Sequence, residues 1–479
     1  MIEFYGAPNY HKGFFAYATR KHDYIFIMEH TAIDHKKEKS IDLTEGSIWK
    51  TIVAFALPLL LGNLFQQLYN TADSVIVGNF TPGSSALGAV SSSGALINML
   101  VGLFLGIATG AGVIVAKYRG AKDIVNMRKS IHTTVLFGVI ISILLTFVGV
   151  LITPLLLRLM KTPADIMVNS VLYLRIYFAG ISGNIMYNIG SGIFRALGDS
   201  RRPLYFLIVS TLTNIVLDLV FVAWFRWGVA GAAAATIIAQ FFSAVLVFWK
   251  LFTDEGSYRL KMNEMKIDLP LLGDIMKVGL PTGIQNSIVS FSNVIVQSNI
   301  NSFGSAAVTG CGSYSKIDGF ALLPAGSFAL SLTTFVSQNI GAKKYDRVKK
   351  GAAFGVIAGM VVSEVVGILI YIFAPFLLSL FDKDPTVISF GIEMARNIVF
   401  AYFLVAFSHC MAGVLRGAGH AHVPMIVMVF FWCIVRVIWI SVTVGLWNDI
   451  HFVFWAYPLT WFFTASALFL YYKFVNWLD

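Results

Sequence analysis

The chain of 479 residues is 57% apolar and only 13% charged, with a mean hydropathy of +0.75. Soluble domains carry about 25% charged residues, so this composition leaves too little polar surface to clothe a water-soluble globule. The net charge of +10 would suit a nucleic-acid binder if its cations formed one patch; they sit instead in alternate loops, with no nucleic-acid-reading motif beside them, and nucleic acid is excluded as a partner.

Residues 1–45 read as a polar, cytoplasmic N-terminal tail. Residues 1–27 lack the apolar core of a cleavable signal, and a start codon assigned too early would account for them. His11, His22, His30 and His35 show no ligand spacing. Beyond the tail, apolar segments long enough to cross about 30 Å of hydrocarbon fall at 50–78, 86–116, 130–157, 165–194, 203–225 and 228–251. A second set follows at 273–302, 305–338, 350–380, 387–415, 423–447 and 451–476. The expectation is an all-α membrane protein of twelve transmembrane helices. They form two six-helix lobes, 46–252 and 270–479, joined by a cytoplasmic linker over 253–269.

Lysine and arginine set the orientation. Lys117, Arg119, Lys122, Arg128 and Lys129 follow the second segment, and Lys343, Lys344, Arg347, Lys349 and Lys350 follow the eighth. The odd-numbered connections hold only Arg158, Lys161, Arg226 and Lys383. Cations gather on the cytoplasmic side, so both termini belong there. The halves also repeat. Gly120-Ala121-Lys122 recurs as Gly341-Ala342-Lys343, and Arg195-Ala-Leu-Gly198 with Pro203 recurs as Arg416-Gly-Ala-Gly419 with Pro424. Both pairs lie 221 residues apart (341 − 120 and 416 − 195). An even number of crossings per half gives both the same topology, related by a pseudo-two-fold axis along the membrane normal, as in one class of transporter.

No nucleophile–base set, metal motif or nucleotide loop emerges, so no enzyme and no cofactor is expected. Cys311, Cys410 and Cys433 lie in apolar stretches and read as small core residues. Ionisable side chains inside membrane helices are costly and therefore candidates for function. They are Asp73, Asp218, Lys316, Asp318, Glu364 and Arg436. Asn214 stands four residues before Asp218 and shares its helix face; such oxygen groups suit a proton or a small hard cation such as Na⁺. At the 221-residue offset the mates of Asp73 and Asp218 are Val294 and Trp439, which places an ion site in the first half alone. Lys316 and Asp318 are two apart and do not face each other, so each is a cavity or charge-pair candidate, as are Glu364 and Arg436. His409 reads as a satisfied core residue.

These stretches resemble the multidrug and toxic compound extrusion (MATE) transporters, from about residue 46 onward. The resemblance is carried by ALPLLLGNLFQQLYNTADSVIVG, the GAKD-type end of the second helix, FRALGDSRRP and TNIVLD. It implies antiport of cationic or amphipathic small molecules against H⁺ or Na⁺ by a monomer in the lipid bilayer. It also implies a cation-coupling cluster of Asp73, Asn214, Asp218 and Thr236, the last added by the resemblance. Pro58 matches the proline at which the first helix bends. Val289, Ser290 and Ser408 stand where other members carry acidic residues, so a second-half Na⁺ site of that kind is not expected. The alternative is a flippase of the same superfamily that moves lipid-linked oligosaccharide.

Overall fold

The computed structural model describes residues 40–478 apart from 81–83, 160–161 and 163; the readings of residues 1–27 lie outside them. Among the described residues all regular structure is helical. The first half comprises α1 (Ile48–Phe80), α2 (Ser84–Gly120), α3 (Ile124–Leu159), α4 (Ala164–Ala179 with Ile181–Ala196), α5 (Arg201–Trp224) and α6 (Gly228–Thr253). The second comprises α7 (Leu269–Asn301), α8 (Ser305–Gly341), α9 (Tyr345–Ser379), α10 (Pro385–Gly417), α11 (His422–Trp447) and α12 (His451–Phe474). Each expected segment has become one of these rods.

Ten rods are long and apolar enough to cross a membrane unaided. An eleventh, α4, is bent by 47° at Gly180. The twelfth, α7, is too polar to qualify, because Gln285, Asn286, Ser287 and Ser292 sit in its middle. Its neighbours satisfy most of them: Ser287 donates to Met99 O at 2.7 Å, Asn286 to Gly102 O at 3.3 Å, and Ser292 to Trp432 O at 2.9 Å, while Gln285 donates to Met428 Sδ and keeps an unpartnered oxygen. A helix covered by protein can carry groups that lipid would reject.

Cover of α7 depends on a glycine seam with α2. Gly106 and Gly110 face Gly283 and Gly279, each pair spaced G-x-x-x-G. A Cβ added at Gly106 would lie 2.1 Å from Gly283 N, and one at Gly110 would lie 2.5 Å from Gly279 N. The two backbones touch, which small residues alone allow. Towards the far ends of α2 and α8 the contact repeats about the pseudo-two-fold axis. Gly120 packs on Gln338 O, and Gly341 packs on Lys117 O (341 − 120 and 338 − 117 are both 221). The turns that follow repeat as well, with φ of 57° at both Lys122 and Lys343, 88° at Gly198 and 91° at Gly419.

Helix α1 belongs to both halves. Its first turns put Ile52, Phe55 and Leu59 into a core with Phe328, Leu332 and Phe335 of α8. Its far end puts Ile76 against Tyr173, Val222 and Val229 of the first half. Ahead of α1, residues 40–46 form a strap. Ile41 N–H donates to Gly198 O at 3.0 Å in the first half. On the other side Asn339, Lys344 and Arg347 of the second half donate to the carbonyls of Leu43, Thr44, Glu45 and Gly46 at 2.6–3.2 Å.

The polar stretch between the halves is fastened to the first. Tyr258 and Leu260 are buried. Arg202 and the Tyr258 hydroxyl meet Asp254 Oδ2 at 2.6 and 2.7 Å, Arg128 pairs with Glu264 at 2.5 Å, and Lys261 N–H donates to His132. Burial pushes the Asp254 carboxyl up, but the Tyr258 hydroxyl bond and the charges of Arg202 and Lys250 outweigh it and hold it below the ordinary 3.8. The contribution of a depressed carboxyl is complete above its unfolded-state value and lost as pH falls through the folded one. A fluorophore on a cysteine at Ser257 should therefore stay rotationally restricted above pH 3.8 and be released below it. Asp254→Asn should release it at neutral pH.

The seam gives a sharper test. Gly106→Ala and Gly279→Ala should each destabilise the detergent-solubilised protein by about 1–3 kcal/mol, the range for overpacking. Gly445, around which a Cβ meets nothing within 4 Å, should accept alanine with an unchanged melting temperature.

Candidate ion-coupling site

Four helices of the first half converge on one oxygen-rich cluster. Asp73 comes from α1, Asn214 and Asp218 from α5, Thr236 from α6 and Tyr173 from α4. Asp218 ends the regular part of α5, which then widens into a π turn over Leu219–Trp224; such turns recur at functional sites. Asn214 and Asp218 are completely buried, and Thr236 and Asp73 are 5% and 9% exposed. With its nitrogen turned to the carboxylate, the Asn214 amide donates to Asp218 Oδ2 at 3.0 Å and accepts from the Thr236 N–H at 3.3 Å. Tyr69, one turn before Asp73, donates to Thr236 Oγ1 at 3.1 Å.

What remains unsatisfied is informative. Oδ1 of Asp73 and Oδ1 of Asp218 are buried without a hydrogen-bond partner, and among the described residues neither carboxylate has a basic partner. The walls are apolar: Ile76, Val222, Val229, Ala232 and Ala233. Two carboxylates held together out of water repel and lose hydration, while each keeps a free acceptor. Protons, or a hard cation that accepts carboxylate, amide and hydroxyl oxygens, would relieve both penalties. The residue types fit either ion.

The four sequence-derived residues thus sit in one neighbourhood, joined by Tyr69, which sequence reasoning missed. Its spacing, four residues before Asp73, was the available signal. The other candidates lie elsewhere. Pro58 is buried within an α1 that continues as helix on both sides. Lys316 is exposed, its ammonium 5.7 Å from the ring of Phe381. Asp318 accepts from the Tyr402 hydroxyl, which shares a 2.8 Å bond with Tyr314. Glu364 accepts from Phe403 N–H at 2.9 Å, capping a break in α10. Arg436 is buried without a carboxylate: it donates to Thr460 at 2.9 and 3.2 Å, and its guanidinium lies 4.5 Å from the Tyr457 ring. Ser290 and Ser408 return their hydroxyls to their own helices, and His409 sets its ring edge-on to Trp432 at 5.5 Å. Because Lys316 meets neither Asp318 nor the ion cluster, Lys316→Gln should leave the dye efflux expected from the family resemblance at its wild-type rate.

The MatE family profile matches this chain twice, over residues 58–220 and 281–443. A Bacillus subtilis (strain 168) protein named "Probable multidrug resistance protein YpnP" is 30% identical over 446 residues, 92% of this chain and 98% of its own. The Thermotoga maritima "Probable multidrug resistance protein NorM" is 25% identical, over 79% of this chain and 82% of its own. Among solved structures, the "Outward-facing conformation of a multidrug resistance MATE family transporter of the MOP superfamily" superposes with a TM-score of 0.85. It covers 92% of this chain and 98% of its own at 22% identity, a level that speaks to fold alone.

Proposed function

The chain belongs to the MatE family of membrane transporters and is not an enzyme; from that membership we propose that it exports cationic or amphipathic small molecules in exchange for H⁺ or Na⁺. The observation that carries the coupling is the pair of buried carboxylates, Asp73 and Asp218, on different helices with a free oxygen each and no basic partner. In the ionised state the pair holds α1 and α5 apart or binds a cation; once neutralised it lets them close. Helix α1 carries that difference to the second half, because its opposite end is built into the second-half core. The driving ion binds from the side to which the drug is released, and the two bias the same equilibrium in opposite directions. The names of the relatives support multidrug substrates, and the lysine and arginine pattern supports cytoplasmic termini, linker and strap. A single chain carries every ligand of the cluster, so the proposed exchange needs no second copy.

Proteoliposomes loaded with a fluorescent organic cation, with pH and Na⁺ gradients imposed separately, test this directly. Asp73→Asn and Asp218→Asn preserve shape and remove charge, and each should abolish uphill export under whichever gradient drives the wild type. Asn214→Ala and Thr236→Ala remove a neutral oxygen and should weaken the dependence on ion concentration without abolishing transport. Uphill export by both aspartate variants would refute the coupling site.

A further inference from the structure

The second half contains a buried acidic network that the coupling site does not use. Asp318 lies on α8 three residues before that helix is interrupted, between Ala321 and Leu323. Tyr402 is the first α-helical residue of α10 after the tighter turn Val399–Ala401. Glu364 of α9 caps Phe403 N–H at that same break. The network therefore spans two helix discontinuities, where backbone rearrangement is cheapest.

Its hydrogen bonds have a direction. With Asp318 ionised, Tyr402 donates to it, and the Tyr402 oxygen is then free to accept from Tyr314 at 2.8 Å. In that state the chain runs Tyr314 to Tyr402 to Asp318. A protonated Asp318 would itself become a donor and turn the order round. No cation stabilises the carboxylate directly. On α8, Lys316 turns outward over Phe381 and Cys311 is buried. On α10, Glu393 reaches His451 at 3.7 Å and His409 faces Trp432. On α11, Arg436 is engaged by Thr460, Tyr457 and Trp432, beside Cys433; α12 adds only the Tyr457 phenol. Glu364 on α9 is committed to its cap. On α7, Asp274 and Lys277 pair with each other near its start, and α1 presents the neutral Gln67 to Gly319.

The surroundings choose the ligand. Tyr314 and Tyr402 are completely buried, and Trp461, 4% exposed, stacks on Tyr402 with ring centres 6.2 Å apart. No aromatic face is open to an organic cation. The oxygens are one carboxylate and two phenols already bonded to one another, too few for a metal ion with six or more oxygen ligands. Asp318 itself is not fully covered by the surrounding side chains.

We propose that Asp318, at the end of the Tyr314–Tyr402 chain, is a second proton-binding site, located in the C-terminal half and separate from the Asp73–Asp218 cluster. Taking up its proton reverses the chain across the breaks in α8 and α10. The site does not depend on the first-half reading. Infrared difference spectra of the purified full chain, titrated between about pH 5 and pH 9, detect the carbonyl stretch of each carboxyl that takes up a proton. An Asp73→Asn, Asp218→Asn background silences the first half. There one titrating carboxyl component should remain; Asp318→Asn should remove it, and Tyr402→Phe, which keeps the ring, should displace its frequency. Absence of that component from the background protein, or its survival in Asp318→Asn, would overturn the proposal. If Asp318→Asn fails to fold, Tyr402→Phe decides: an unshifted component would equally overturn it. Uphill export by the first-half variants would sink the coupling site and leave this result standing.

Discussion

Backbone contact between α2 and α7 is the constraint on which the rest of the architecture depends. With glycine on both sides the helices approach until a methyl group at Gly106 would overlap Gly283 N. Packing this close maximises dispersion, which in lipid must replace the hydrophobic effect as the force between helices. It also explains how α7 holds amides and hydroxyls at membrane depth. Pressed against α2 and α11, Asn286, Ser287 and Ser292 find carbonyl partners there.

With that seam fixed, α1 becomes the element whose two ends answer to different halves. Phe55 and Leu59 are embedded with Phe328 and Leu332, whereas Tyr69 and Asp73 reach the cluster around Thr236 and Asp218. Pro58 lies within the first of these regions, between Phe55 and Leu59. A proline inside a helix donates no hydrogen bond and crowds the carbonyl four residues before it, so the rod is weakest in the part embedded in the second half. In the coupling proposed above, it is this rod that carries a change of charge at Asp73 to the second half.

Much of this was legible in the sequence, for physical reasons that can be named. Membrane helices announce themselves by length and hydropathy, and the segment at 273–302 was read as one of them although α7 proves too polar to qualify alone. Asp73 and Asp218 stood out because a carboxylate in an apolar run is rare. Tyr314 and Tyr402 were invisible for the converse reason: a tyrosine in such a run looks like any other core aromatic until its hydroxyl finds a partner. The sequence separates Lys316 and Asp318 by one residue, and helix geometry sends one outward and the other into the bundle. The stretch after α6 read as a polar linker, yet Tyr258 and Leu260 anchor it. Residues 40–46 gave no periodic signal at all, having no regular structure to encode.

Those seven residues make contact almost wholly through their own peptide groups. Arg347, Lys344 and Asn339 grip carbonyl oxygens, and Gly198, held at a φ of 88°, leaves room for Ile41 O where a Cβ would come within 2.2 Å. Carbonyls are the same whatever side chain they carry. The strap can therefore drift in sequence while its function persists, apart from the buried Leu43. Selection falls instead on the receptors that read it, one glycine in the first half and an asparagine, a lysine and an arginine in the second. A comparison of relatives that searched the amino terminus for invariant side chains would pass over the tie between the halves; its imprint lies in the loops that hold it.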